Sequence, residues 1–400
     1  MGKTTAIMIV SLLMSIGSFL FFFDRIRENS VPFYTDEAYW VSTGRIVPMV
    51  LNKRFNDPFW HEYFGFTNFN GAKIIYGIGL AIFGHSESEL IDVKTAPETY
   101  YHWIGDDGKV LPPGHPLFSL VRDARIISTI FVSLSIGATV LLAYILVPKT
   151  LIALATGVLL FFHPITQYVA VHAYADGIFL FFILLFLLSS IRLLKNNLHR
   201  SHYKDLIVLG GIAGALISIK INGGVFLIAY FVSYLLRIIT EKKDVRARLI
   251  LIPLSVITAS ALVVFLFINA NILFFPDYTV SQMIQDRAEI TKQHVAYYSA
   301  MDPDHVTLPL ISRLQSLMKH AFPLWFIPFF IVGLMITVIK KQIGIKHILL
   351  FFSMGIVVLI YCLSYVVFDE IRYFLPILPF IVFIAAQSAG VIKIELQKRT

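Results

Sequence analysis

Asp36 and Glu37 stand side by side in "FYTDEAYWVSTGR", Phe33 to Arg45, shortly after an apolar run that ends at Phe23. Four more ionisable residues occupy the same kind of place. Lys73 opens the apolar stretch "AKIIYGIGLAIFG", Asp176 lies in "VHAYADGIF", Lys220 in "SIKINGG" and Arg372 in "FDEIRYFLP". An ionisable group at the edge of an apolar run is costly unless it has a partner or a task. Each also has a plain reading. Asp36 and Glu37 could be solvated loop charges, the cations interfacial anchors that snorkel, and Asp176 a helix N-cap. Taken together they suit one kind of chemistry. Cations hold phosphate oxygens by charge-assisted hydrogen bonds, and a carboxylate beside them takes a proton from a hydroxyl. Moving a sugar from a lipid phosphate to a hydroxyl needs that base. It also needs fixed positive charge where the departing phosphate develops its own. It needs no general acid, whereas a glycoside hydrolase needs two cooperating carboxyl groups.

The elements that must position these residues are apolar. Of 400 residues, 57% are hydrophobic and 14% charged, with a mean hydropathy of +0.75. Soluble domains carry about 25% charged residues. The apolar residues come in blocks close to the length a helix needs to cross a bilayer. The sequence therefore predicts an all-α polytopic membrane protein with about ten transmembrane helices. They are expected at 5–23, 124–147, 150–170, 177–194, 206–219, 223–239, 249–275, 321–339, 347–367 and 374–392. Residues 1–400 read as one integral membrane domain. A long first loop, 24–122, carries an interfacial helix from Ala72, and a second long loop covers 276–320.

Lys and Arg set the expected orientation. With the N-terminus in the cytoplasm, the short cytoplasmic segments hold about half of the 33 Lys and Arg and four of the 25 Asp and Glu. Both termini are then cytoplasmic. Both long loops and all six ionisable residues lie at the outer boundary of a cell membrane, where they could line one cavity. The net charge of +8 reads as this asymmetry and not as a nucleic-acid footprint. The single cysteine, Cys362, lies within an apolar block, which excludes a disulfide framework. His163 and His172 read as satisfied outer-end histidines, and "GDDGK" as a turn. "MDPDH", Met301 to His305, has an acidic spacing that suits a divalent metal. No metal or other cofactor is expected, with that stretch left as the place for one.

Six stretches, in order, resemble the membrane-embedded GT-C glycosyltransferases of the family 39 group, which includes protein O-mannosyltransferases and aminoarabinose transferases. "TDEAYW" is similar to the family's acidic pair after the first span. "NFNGAKIIYGIGLAIFG" is similar to its HPPLGK segment, and "VRDARIISTIFVSLSIGATVLLAYIL" to its arginine-led second span. "FFHPITQYVAVHAYADGIFLFF", "SIKINGG" and "IRYFLPILP" are similar to three later segments. The resemblance implies a GT-C-like fold and a polyprenyl-phosphate-linked sugar as donor, with a glycan, lipid or protein hydroxyl as acceptor. It implies Asp36 as base with Glu37 beside it, and Lys73 as a donor-phosphate contact, to which Lys220 and Arg372 are added. Asp176, Tyr174 and Tyr373 are further site candidates. Two departures mark a divergent branch: Asn68-Phe69-Asn70 stands for HPP, and Tyr174 for an arginine. Two other readings stay open. One is a lipid or sugar flippase; the other is a metal-dependent oligosaccharide transferase.

Overall fold

The computed structural model describes residues 3–61, 68–93, 104–195, 203–240, 247–274, 292, 310–339, 346–365 and 370–389. Among these the regular structure is helical throughout. The helices are α1 (Lys3–Arg27), α2 (Thr35–Thr43), α3 (Ile46–Leu51), α4 (Asn70–Ile82), α5 (Glu87–Asp92), α6 (Phe118–Leu146), α7 (Thr150–Phe162), α8 (Pro164–Val171) and α9 (Ala175–Lys195). They continue as α10 (Tyr203–Ile219), α11 (Gly224–Thr240), α12 (Ala247–Ile268), α13 (Asn271–Phe274), α14 (Leu310–Ala321), α15 (Ile327–Ile339), α16 (Lys346–Tyr365) and α17 (Leu378–Ala386), the last entered through a 3-10 turn at Ile371–Ile377.

Among the described residues five helical stretches are long and apolar enough to cross a membrane: Thr4–Arg27, Phe118–Leu146, Ala175–Lys195, Ile221–Thr240 and Ile250–Ile268. The chain is thus a helical membrane protein. The expectation of ten spans is met only in part. The block expected at 150–170 is two helices, α7 and α8, bent by 61°. The cause is local: Pro164 at the start of α8 lacks an N–H and cannot continue α7. His163 covers the break, its Nδ1 accepting from the Ile165 N–H at 3.3 Å and its Nε2 lying 3.1 Å from the Ala321 carbonyl oxygen. Counted as one span, this pair makes six. The later blocks appear as the shorter apolar helices Ile327–Ile339, Ile348–Ser364 and Ile371–Ala386. Most of the expected second loop, with "MDPDH", lies outside the described residues.

Helix α6 is the centre of the bundle, packing against α1, α7, α8 and α9. Lipid is as apolar as the side chains, so membrane helices associate through close packing and small residues. Gly137 of α6 shows this: a Cβ there would collide with Ser15 Oγ, and Ser11 Oγ donates to the Gly137 carbonyl at 2.8 Å. The apolar stretch from Ala72 is helical, as part of α4. That helix buries Asn70, Ala72, Lys73, Tyr76 and Leu80 on one face and leaves Ile78 and Ile82 exposed. A Cβ on Gly71 would meet the Ser218 backbone at 2.7 Å, so glycine lets α4 dock against the end of α10. That contact sets Lys73 and Tyr76 against the ends of the long helices.

Candidate active site

One end of the bundle gathers three ion pairs, each between residues far apart in the chain. The first is a lock. Arg125 of α6 donates to Glu37 from Nε at 2.8 Å and from Nη2 at 2.6 Å. The same guanidinium bonds the Val31 and Pro32 carbonyls at 3.0 and 2.7 Å. Glu37 also accepts from the Ala173 N–H at 2.8 Å and the Tyr34 N–H at 3.2 Å. Its side chain is 0% exposed. Glu37 was expected next to Asp36 as a catalytic group; its carboxylate instead ties the α1–α2 connection, α6 and the α8–α9 connection together. Asp107 completes the fastening of α2, accepting from the Thr35 N–H and Oγ1 at 2.6 and 2.5 Å. "GDDGK" is the turn it was read as, with Gly108 at φ +76. It pairs with Phe33 through two backbone hydrogen bonds, at 2.7 and 2.8 Å.

The second pair is open. Asp36 Oδ2 accepts from Arg372 Nη2 at 2.6 Å, and the Asp36 side chain is 47% exposed while that of Arg372 is 15% exposed. Arg372 Nε bonds Glu370 at 2.6 Å. Its guanidinium lies over the Tyr174 ring, 4.7 Å from the centroid, and 5.8 Å from that of Tyr373. Guanidinium has five N–H donors and stays protonated. Among the described residues Nη1 makes no hydrogen bond, so one edge of this cation is uncommitted.

The third pair joins Asp176, in the first turn of α9, to Lys220 after α10, at 2.7 Å. Asp176 is buried, and Lys220 keeps partial exposure. An acid suits the positive N-terminal end of a helix. Tyr76 links this part of the cluster to α4, its hydroxyl donating to the Tyr174 carbonyl at 2.7 Å. Lys73, one turn from Tyr76, is fully buried on the packed face of α4. Expected as a phosphate contact, it sits inside the protein, unlike Arg372 and Lys220.

All the expected site residues therefore lie on elements that meet at this end of the bundle. Sequence reasoning did not single out Arg125, Asp107 or Glu370. An arginine two turns into an apolar helix was a signal for the first. A second cluster lies nearby, with His85 between Glu89 at 2.8 Å and Asp123 at 2.9 Å. The His85 hydrogen bond, helped by Ser86, holds the Glu89 carboxyl below its ordinary range. Among the described residues no three His, Cys, Asp or Glu side chains are placed to hold a metal ion.

Fold and site define the class: a helical membrane protein with a charged, aromatic-lined cluster at one end of its bundle. No family model and no curated protein matches the sequence.

Proposed function

We propose that the chain transfers a sugar from a polyprenyl-phosphate carrier to a hydroxyl acceptor at the membrane boundary. The observation that carries this reading is the Asp36–Arg372 pair, a half-exposed carboxylate against a largely buried guanidinium with an uncommitted edge. The donor phosphate takes that edge and the ammonium of Lys220. Lys73 is left out of the phosphate set because it is fully buried. Asp36 receives the proton of the acceptor hydroxyl. The hydroxyl oxygen bonds to the anomeric carbon as the bond from that carbon to the phosphate oxygen breaks. The electron pair goes to the phosphate, whose new charge meets fixed positive groups already in place. The order of resembling segments, from "TDEAYW" to "IRYFLPILP", supports the same reading.

The test uses the full chain in lipid vesicles with a panel of polyprenyl-phosphate sugars and soluble hydroxyl acceptors. The expected result is stoichiometric release of polyprenyl phosphate with appearance of the glycosylated acceptor, unaffected by a chelator. Movement of the lipid across the bilayer without release of phosphate contradicts transfer and gives the flippase reading.

A further inference from the structure

One short helix presents three different sides, and only one of them meets the protein. At 3.6 residues per turn the 12 residues of α14, Leu310–Ala321, divide by direction. Ser316, Leu317 and Ala321 are buried on one side. Leu310, Ile311, Leu314 and Met318 fall together on a second, and each is 42% to 70% exposed. Gln315 and Lys319, one turn apart, share a third side and are exposed as well. Large apolar side chains gathered on one exposed side mark a surface that meets something other than water.

The helix is tied to the bundle on its packed side. Arg313 Nη1 donates to the Leu363 and Ser364 carbonyls near the end of α16, at 2.9 and 2.7 Å. The Ala321 carbonyl oxygen lies 3.1 Å from His163 Nε2 at the α7–α8 bend. The His320 ring stacks on Phe374 with 6.0 Å between centroids, and Phe374 belongs to the 3-10 turn that carries Arg372. These ties fix the direction in which the apolar row points. What covers the row follows from its neighbours. Leu324 and Trp325, just beyond α14, are exposed, and the apolar helix α15 follows with Phe329, Val332 and Met335 exposed. At about 18 Å, α14 is too short to cross about 30 Å of hydrocarbon. A second copy of the chain fits poorly. One row of four side chains offers far less than the about 800 Å² per partner that a specific interface buries. The boundary of a bilayer suits all three sides at once: the apolar row enters lipid, Gln315 and Lys319 stay in water, and the third side rests on the protein. Tryptophan is enriched at that same level.

We propose that α14 lies in the plane of the membrane interface with Ile311, Leu314 and Met318 in lipid, and anchors there the end of the bundle that carries Arg372. The segment belongs to the loop expected at 276–320, so lipid contact extends beyond the apolar blocks. The anchor holds whether or not the chain transfers a sugar.

The experiment reads contact with lipid rather than turnover. Leu314→Cys, Met318→Cys, Gln315→Cys and Lys319→Cys are each spin-labelled in full-length protein in phosphatidylcholine nanodiscs. All four positions are exposed, so the labels leave the packed side alone, and melting temperature checks folding. Cys362, the chain's single cysteine, is buried; wild-type protein carried through the labelling sets the background. Collisions with oxygen, which concentrates in hydrocarbon, are compared with collisions with a water-soluble nickel chelate. The labels at Leu314 and Met318 are expected to lose chelate collisions and gain oxygen collisions relative to those at Gln315 and Lys319. Any result without this contrast, whether all four labels meet the chelate or none does, overturns the in-plane anchor. Spin–spin broadening at Leu314→Cys that disappears on dilution with unlabelled protein puts a second copy on the row and overturns it as well. The expected contrast in a protein that never releases polyprenyl phosphate keeps the anchor and rejects the transfer reaction.

Discussion

Two ion pairs at the same end of the bundle are built from adjacent carboxylates and do different work. Glu37–Arg125 is sealed, with every lone pair of interest engaged by Arg125, Ala173 or Tyr34. Asp36–Arg372 is open, with one bond to Asp36 and about half of its side chain accessible. The lesson concerns helix geometry. Successive residues on a helix point in different directions, so the first turn of α2 turns Glu37 into the protein and leaves Asp36 at its edge. Neighbours in the chain need not share a role.

The largest expected effect breaks the sealed pair. Arg125→Ala leaves Glu37 buried without its guanidinium and frees the Val31 and Pro32 carbonyls. Removing one partner of a buried pair costs about 3–5 kcal/mol. The expected result is a large fall in melting temperature, or loss of folded protein from membranes, measured by thermal unfolding in detergent. The open pair should respond through ligand binding instead. On the proposed reading, Arg372→Ala removes a charge directed at the donor phosphate, worth about 1.5–3 kcal/mol. Donor affinity should then fall about 10- to 150-fold while the melting temperature moves far less than in Arg125→Ala. Equal loss of stability in the two variants would erase the contrast.

A smaller effect sharpens the boundary between the pairs. His172 faces Glu37, Arg125, Arg372, Tyr34, Tyr168 and Tyr174. Burial depresses its folded pKa, so the unfolded chain takes up its proton first as pH falls below about 6.5. The stability this residue contributes is present above that pH and is lost as pH falls toward the folded pKa. Melting temperature should therefore decline with acidification more in wild type than in His172→Phe. Parallel pH profiles would show that the imidazole is not held neutral by the fold.

How far the sequence led depended on whether a feature was local. Apolar blocks fixed the helices, because length and hydropathy suffice for them. The bend at Pro164 is a one-residue event inside a continuous apolar block, so a count by blocks passed over it. The charges at block edges pointed to Asp36 and Arg372, although 336 positions separate them. Their shared depth was visible without knowing the contact. Glu37 and Arg125, 88 positions apart, were not paired in the same way. Arg125 also stands at a block edge, the start of 124–147, but nothing local names its partner or distinguishes a sealed carboxylate from an open one. Asp107 looked like turn chemistry and is that. Its second task, holding the start of α2, exists only once the turn is folded against Thr35.

The claim that one carboxylate is chemical and its neighbour architectural is tested by measuring Asp36→Asn and Glu37→Gln side by side. Both are read for sugar transfer per folded molecule and for melting temperature, in the same vesicles. Asp36→Asn should lower the transfer rate at least about a hundredfold, the lower range of positioned acid–base catalysis, with donor affinity and melting temperature nearly intact. Glu37→Gln should lower the melting temperature and leave the folded fraction transferring sugar at close to the wild-type rate. A stable Glu37→Gln protein without activity, beside a fully active Asp36→Asn, would contradict the account and make Glu37 the base.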